Sequence, residues 1–117
     1  MRLLGQEGRD VRLFQPRYTG DAHAGRSETS MMLTLRPELV RREHAVAGDT
    51  RPLRDLLPLL RAGGLRAVTA TGVLGDPTGA GAEEGRTLLD AVAAALLEEV
   101  AAWADTAALP AAAHGRR

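Results

Sequence analysis

The sequence predicts a layered α/β domain, and three observations carry that expectation. Residues 10–14 alternate polar and apolar side chains, and residues 65–70 read as a second strand. Three stretches, near 27–35, 53–60 and 82–104, repeat apolar residues at helical spacing. Turns rich in glycine and proline separate these segments. Strand, helix, helix, strand, helix is the βαβ grammar of a layered fold. Two strands do not make a parallel sheet, which is normally larger and covered on both faces.

In chain order, residues 1–8 read as the end of a helix closed by Gly8. The strand Asp10-Val11-Arg12-Leu13-Phe14 follows and stops at Pro16. Residues 15–25 form a loop that runs into a helix from Ser27 to Leu35, with Ser27 as the expected N-cap and Met31, Met32 and Leu35 on its apolar face. Pro37 ends that helix, because the residue before a proline avoids helical angles. Residues 38–51 are charged and irregular. Pro52 is expected as the first helical residue after a cap at Asp49 or Thr50. Leu53, Leu56, Leu57 and Leu60 then form a stripe expected to be core, kinked or shortened by Pro58 and closed by Gly63-Gly64. After the second strand comes a glycine-rich loop, 71–81. A last helix, about 82–104, has Glu83 and Glu84 at its positive end and Leu88, Leu89, Val92, Leu96, Val100 and Trp103 on one face. Residues 107–117 read as a frayed tail.

Composition narrows the function classes. At 44% hydrophobic residues the chain can bury a core, but with 3% aromatics that core must be Leu, Val and Ala. Basic and acidic residues balance at 15 each, so no field for nucleic acid is expected. All the basic residues are Arg, and Lys, Asn, Ile and Cys are missing, a bias toward residues with GC-rich codons. Zero cysteines exclude disulfides and thiolate metal sites. No apolar run approaches the ~20 residues that span a bilayer, and the first residues are too polar for a secretory signal. A cytoplasmic protein without membrane or nucleic-acid partners is the expectation.

The chemistry concentrates in Gly20-Asp21-Ala22-His23-Ala24-Gly25-Arg26-Ser27-Glu28-Thr29-Ser30. Glu28 falls in the first helical turn and His23 just before it, both at the positive end of the helix dipole. A carboxylate and an imidazole placed so suit acid–base or metal-assisted chemistry. By spacing alone they suit capping and a surface loop equally well. The loop Gly79-Ala80-Gly81-Ala82-Glu83-Glu84-Gly85 has the spacing GxGxxxG rather than GxGxxG. Its two carboxylates stand where a pyrophosphate needs bare N–H groups, which argues against a dinucleotide.

Asp21 to Ser30, followed by Leu35-Arg36-Pro37-Glu38-Leu39-Val40, resembles the His-Ala-Gly-x-x-Glu-Thr-Ser…Leu-x-Pro-x-x-Val signature of the creatininase family of metal-dependent amidohydrolases. Gly72-Val73-Leu74-Gly75-Asp76-Pro77-Thr78-Gly79-Ala80 and Ala82-Glu83-Glu84-Gly85 resemble a second block of that family, in its order and at about its separation. The resemblance covers about residues 9–105 and is greatest to the branch encoded with the mycofactocin cofactor pathway, which trims a modified precursor peptide. It implies a creatininase-type fold with a mainly parallel sheet flanked by helices, of which residues 1–106 would be the C-terminal portion and 107–117 a flexible tail. The family's N-terminal half carries Glu-x-His-Gly, a metal-ligating Asp and an Asn-Gly-His-Gly-Gly-Asn type motif, and none of these occurs here. Met1 would then be an internal methionine, a misassigned start or the edge of a truncated gene.

The resemblance further implies His23 as the catalytic histidine, which passes a proton to the departing amine or orients the carbonyl. It implies Glu28 at the metal, while Asp21 orients His23 or makes an Asx turn. The cofactor implied is a pair of divalent ions (zinc, iron or manganese), with a small modified peptide or a cyclic amide such as creatinine as substrate, in a homo-oligomer that is hexameric in the family. The other reading of the chain by itself is a non-catalytic fragment that lacks the N-terminal metal ligands.

Overall fold

The computed structural model describes residue 7, residues 11–16 and residues 20–108, with side chains through residue 105. The expected helix end at 1–8 lies almost wholly outside the described residues. The chain divides into two compact units, Tyr18–Val92 and a smaller one formed by Met1–Arg17 with Ala93–Arg117.

In the larger unit, helix α1 spans Arg26–Leu35 and stops where expected, with the Arg36 N–H on the Met32 carbonyl ahead of Pro37. Its N-cap is Gly25, not Ser27, and no side chain of the cap residue bonds the helix end. The buried face also differs from the expected one. Ser27, Ser30 and Leu33 are buried, whereas Met32 and Leu35 are exposed. The physical reason lies at Gly85. A Cβ there would overlap the Ser30 carbonyl, so two helical backbones meet through small residues where larger side chains would not fit.

One-turn 3₁₀ helices at Pro37–Leu39 and Arg42–His44 punctuate the charged segment. Helix α2 spans Leu53–Gly63, so Pro52 is its cap residue rather than its first helical residue. Pro58 lies inside α2 without ending it. Only Leu56 of the leucine stripe is buried; Leu53 and Leu57 are exposed, so the stripe gives the core of this unit one residue rather than a whole face. Gly64, with φ of 69°, closes α2, and its N–H donates to the Leu60 carbonyl.

Among the described residues neither expected strand forms. Residues 65–70 enter a 3₁₀ turn at Leu65–Ala67, and the Val68 and Thr69 N–H groups both donate to the Leu65 carbonyl. Donors used locally are not available to a ladder. Residues 11–14 have no regular structure, and residue 10 lies outside the described set. Among the described residues the nearest thing to a sheet is a small ladder. The Ala22 and His23 N–H groups donate to the Leu74 carbonyl, and the Leu74 N–H returns to the His23 carbonyl at 2.9 Å. On the other side, Gly48 donates to Gly75 and Asp49 to Val73. The His23–Leu74 bridge is antiparallel.

After a 3₁₀ turn at Pro77–Gly79, helix α3 runs Ala82–Ala108, and residues past it lie outside the described set. Among the described residues Leu33, Leu56, Leu74 and Ala80 are the buried hydrophobic ones. Within the smaller unit, Leu13 and Phe14 line a cleft of about 540 Å³ with Ala95, Glu98, Glu99 and Ala102. No described helix is long and apolar enough to cross a membrane.

Candidate functional site

The loop before α1 and the loop 72–81 come from distant parts of the sequence, and Asp21 ties them together. Its Oδ2 accepts from the Arg26 N–H at 2.7 Å and the Asp76 N–H at 3.0 Å, and its Oδ1 accepts from the Ser27 N–H at 3.2 Å. Two of these donors belong to the first turn of α1, which has no intrahelical acceptor for them. Asp21 therefore does the capping expected of Ser27, from five residues before the helix. Burial pushes its carboxyl up, but the N–H groups of Arg26, Ser27 and Asp76 together hold it below the usual carboxylate value. Gly25 and Gly75 wall this carboxylate, because a Cβ on either would overlap it.

His23 is fixed at its backbone by the Leu74 bridge and is exposed at its ring. Its Nδ1 stands 3.3 Å from Glu28 Oε2. The same Oε2 accepts the Ala24 N–H at 2.6 Å. That N–H reaches the carboxylate because Ala24 takes φ of 51°, a left-handed angle uncommon outside glycine. Glu28 thus reaches back over the helix start much as the acid of a capping box does. The structure brings His23 and Glu28 together. It places Asp21 on backbone N–H groups, and neither an Asx turn nor a bond to His23 is among its hydrogen bonds.

Three further groups brace the site. Glu84 accepts the Arg26 Nε at 2.9 Å and the Ser30 hydroxyl at 3.3 Å, and the Arg26 guanidinium holds its carboxyl below the usual value. The Gly81 N–H donates to Ser30 Oγ at 3.1 Å. Asp76 accepts from the Thr78 hydroxyl and N–H, which lower its pKa. These contacts were not foreseen from the sequence. The signal for them was the pairing of Ser27 and Ser30 on one helix with Gly85 on another, small residues where a core helix usually places large ones.

Glu28 Oε1 and His23 Nε2 take no hydrogen bond from the described residues, and oxygen with imidazole nitrogen suits a hard or borderline divalent cation. Glu28 Oε1 fits such an ion in type and would be one ligand of its shell. Among the described residues no cluster of three or more His, Cys, Asp or Glu could close one.

A histidine–carboxylate pair at the head of a helix, clasped by a glycine-rich loop some fifty residues on, is an arrangement suited to proton transfer at a bond in the open loop region. The sequence profile of the creatininase family, described as creatinine amidohydrolase, matches residues 2–100. The chain belongs to the creatininase family. It is 48% identical over 102 residues to a mycofactocin precursor peptide peptidase of Mycobacterium tuberculosis H37Rv, covering 86% of this chain and 41% of that one. It is 44% identical over 104 residues to the protein of that name from Mycobacterium ulcerans, covering 88% of this chain and 42% of the relative. The chain therefore spans less than half the length of these relatives. A crystal structure described as "Putative creatinine amidohydrolase" from Bacteroides fragilis NCTC 9343 superposes with a TM-score of 0.52 at 29% identity, covering 68% of this chain and 34% of the other. That neighbour relates the arrangement of helices and loops here to part of a creatininase fold.

Proposed function

We propose that this chain supplies His23 and Glu28 to an amide-bond hydrolase that trims a small modified precursor peptide. The observation that carries the reading is the geometry of His23. Its backbone N–H and carbonyl are both tied to Leu74, its Nδ1 lies beside Glu28, and its ring is exposed. Amide cleavage needs a proton delivered to a poor leaving group, and an imidazole is the side chain best suited to carry one near neutral pH. In this reading Nε2 takes a proton from the attacking water and hands it to the departing amine nitrogen. Glu28 faces the ring and steadies the imidazolium formed between the two transfers. Asp21 holds the loop, and with it the ring, in place.

A divalent metal held through Glu28 Oε1, with further ligands from outside the described residues, would supply polarisation of the scissile carbonyl and of water. The layered sheet flanked by helices belongs to the same proposal, with segments 22–23, 48–49 and 73–75 as this chain's share of it. So does self-association, which would cover exposed leucines such as Leu53 and Leu57. The names of the curated relatives favour a peptide over a cyclic amide as substrate. The test is mass spectrometry of a synthetic precursor peptide incubated with the chain and a divalent metal, with creatinine in parallel. New peptide termini that disappear with His23→Gln support the proposal. Turnover of creatinine with an intact peptide contradicts the substrate, and turnover of neither contradicts the activity of this polypeptide.

A further inference from the structure

Two helix faces stand open among the described residues, and they carry opposite charge. On α2, Leu53 and Leu57 are one turn apart and are 45% and 37% exposed. Arg54 and Arg61 lie seven residues apart on one flank of that pair, about 10 Å along the axis. The Arg54 Nε stands 3.5 Å from Asp55 Oδ1 with both side chains largely exposed, and Arg61 has no partner among the described residues. On α3, Leu97 and Val100 are 69% and 48% exposed. Glu98 and Asp105 lie seven residues apart on one flank of that pair, and no basic residue occurs from Thr87 to Asp105. Leu13 and Phe14 line a cleft with Ala95 and Ala102, which lie on the other side of α3 from Leu97. Glu98 borders that cleft, and the Leu97 face is left bare.

We propose that the Leu53–Arg61 face of α2 docks onto the Leu97–Asp105 face of α3 from a second copy of this chain. The inference gives the self-association proposed above its two surfaces and rests on no step of the hydrolysis. Charge selects the occupant. An α2–α2 contact would set Arg54 and Arg61 against arginines, and an α3–α3 contact would set Glu98 and Asp105 against carboxylates. Like charges across an interface are penalised. The crossed contact pairs opposite signs and covers apolar surface on both partners at once. A lipid surface also accepts a helix of arginine and leucine, but it would leave the acidic α3 face bare. The flanks set the direction. Seen from the N-terminus of each helix, the charges follow the apolar pair on the same side, and facing helices bring such flanks together when antiparallel. In that register Arg54 meets Asp105 and Arg61 meets Glu98, because both charge pairs have the same spacing. Leu57 then falls over Ala101 and Ala104, whose small side chains admit it. A contact of three helical turns is at the small end of interfaces, below about 1,200 Å², so the association is reversible and micromolar.

The experiment is sedimentation equilibrium of the full chain across the micromolar range, with two charge-reversed variants. One carries Arg54→Glu with Arg61→Glu, the other Glu98→Arg with Asp105→Arg. All four side chains are exposed, and circular dichroism checks that each variant folds. Wild type should associate, and each variant alone should associate at least about tenfold more weakly. An equal mixture of the two variants should regain the wild-type association, since every crossed contact between them again pairs opposite signs. A monomeric wild type overturns the proposal. So does association of either variant at wild-type strength, or a mixture no stronger than its components. If a reversed variant does not fold, Leu97→Ser decides: it should weaken association by a similar factor, and wild-type strength in it overturns the proposal. Vesicles of phosphatidylglycerol and phosphatidylcholine test the other occupant. Binding to them that is lost with Arg54→Glu and Arg61→Glu, in a chain that stays monomeric, assigns α2 to a lipid surface and overturns the proposal. The readout is mass and not turnover, so an inactive chain that associates in this way counts against the hydrolase reading alone.

Discussion

Replacing Asp21 should unfasten the site, and the size of the effect follows from its three backbone donors at 2.7, 3.0 and 3.2 Å. Hydrogen bonds to a charged group contribute about 1.5–3 kcal/mol each, and the loss of a helix cap costs about 1 kcal/mol. The three share one carboxylate and are not additive. The Arg26 and Ser27 donors at the helix end can also turn partly to water. Asp21→Ala should therefore cost about 2–4 kcal/mol. Asp21→Asn keeps one acceptor oxygen, which can serve Arg26 and Asp76, and turns an amide donor toward Ser27. Its cost should be about 1–2 kcal/mol. The assay is urea unfolding followed by circular dichroism. The pH dependence supplies a second check. The folded-state pKa of Asp21 is lowered, with burial opposing and the N–H groups of Arg26, Ser27 and Asp76 prevailing. Its stabilisation is thus present above the unfolded value of about 3.9 and is lost as pH falls through the folded value. The gap between wild type and Asp21→Asn should narrow over that acid range. A loss below about 0.5 kcal/mol for Asp21→Ala, the scale of an ordinary surface substitution, would refute the reasoning, as would a gap that does not change in acid.

Other outcomes follow from the same contacts. Gly85→Ala would drive a Cβ into the Ser30 carbonyl and should destabilise by about 2–3 kcal/mol, visible as a lower urea midpoint. Gly75→Ala combines an overlap with Asp21 and a φ of 150°, and should lower the urea midpoint as well. Ala24→Gly relieves the left-handed angle and should leave stability unchanged or raise it by up to about 1 kcal/mol, measured the same way. Arg26→Gln removes an exposed pair with Glu84, and its effect on thermal midpoint should fade in about 1 M salt, where screening acts within ~3 Å.

The helices were legible because their signals are local. Pro37 ends α1, Gly64 closes α2, and the apolar repeat after Glu83 runs on as α3. The strands were not legible, because period-two alternation states a preference and not a partner. At 65–70 the N–H groups of Val68 and Thr69 bend back to Leu65 before any ladder can use them. The leucine stripe of α2 correctly marked a helix but not its burial, since amphipathicity does not name what covers a face. At the site, the motif identified His23, Glu28 and Asp21 as the residues to watch. It could not assign Asp21 its role, because a cap reaching from five residues upstream leaves no spacing that capping rules would flag. The clasp between Asp21 and the Asp76 N–H joins residues 55 apart in sequence and is visible only in the fold.

The most direct test of the central claim, that His23 and Glu28 are this chain's share of a hydrolase site, is a chimera. Residues 2–100 of this chain would replace the matching region of the Mycobacterium tuberculosis relative, so that whatever the rest of that protein supplies is present. Cleavage of the precursor peptide is then followed by mass spectrometry. The account predicts a folded chimera that cleaves the peptide and loses at least about 100-fold in kcat with His23→Gln, the scale of general acid–base catalysis. A folded chimera whose cleavage is indifferent to His23→Gln, or that shows no cleavage at all, would contradict it.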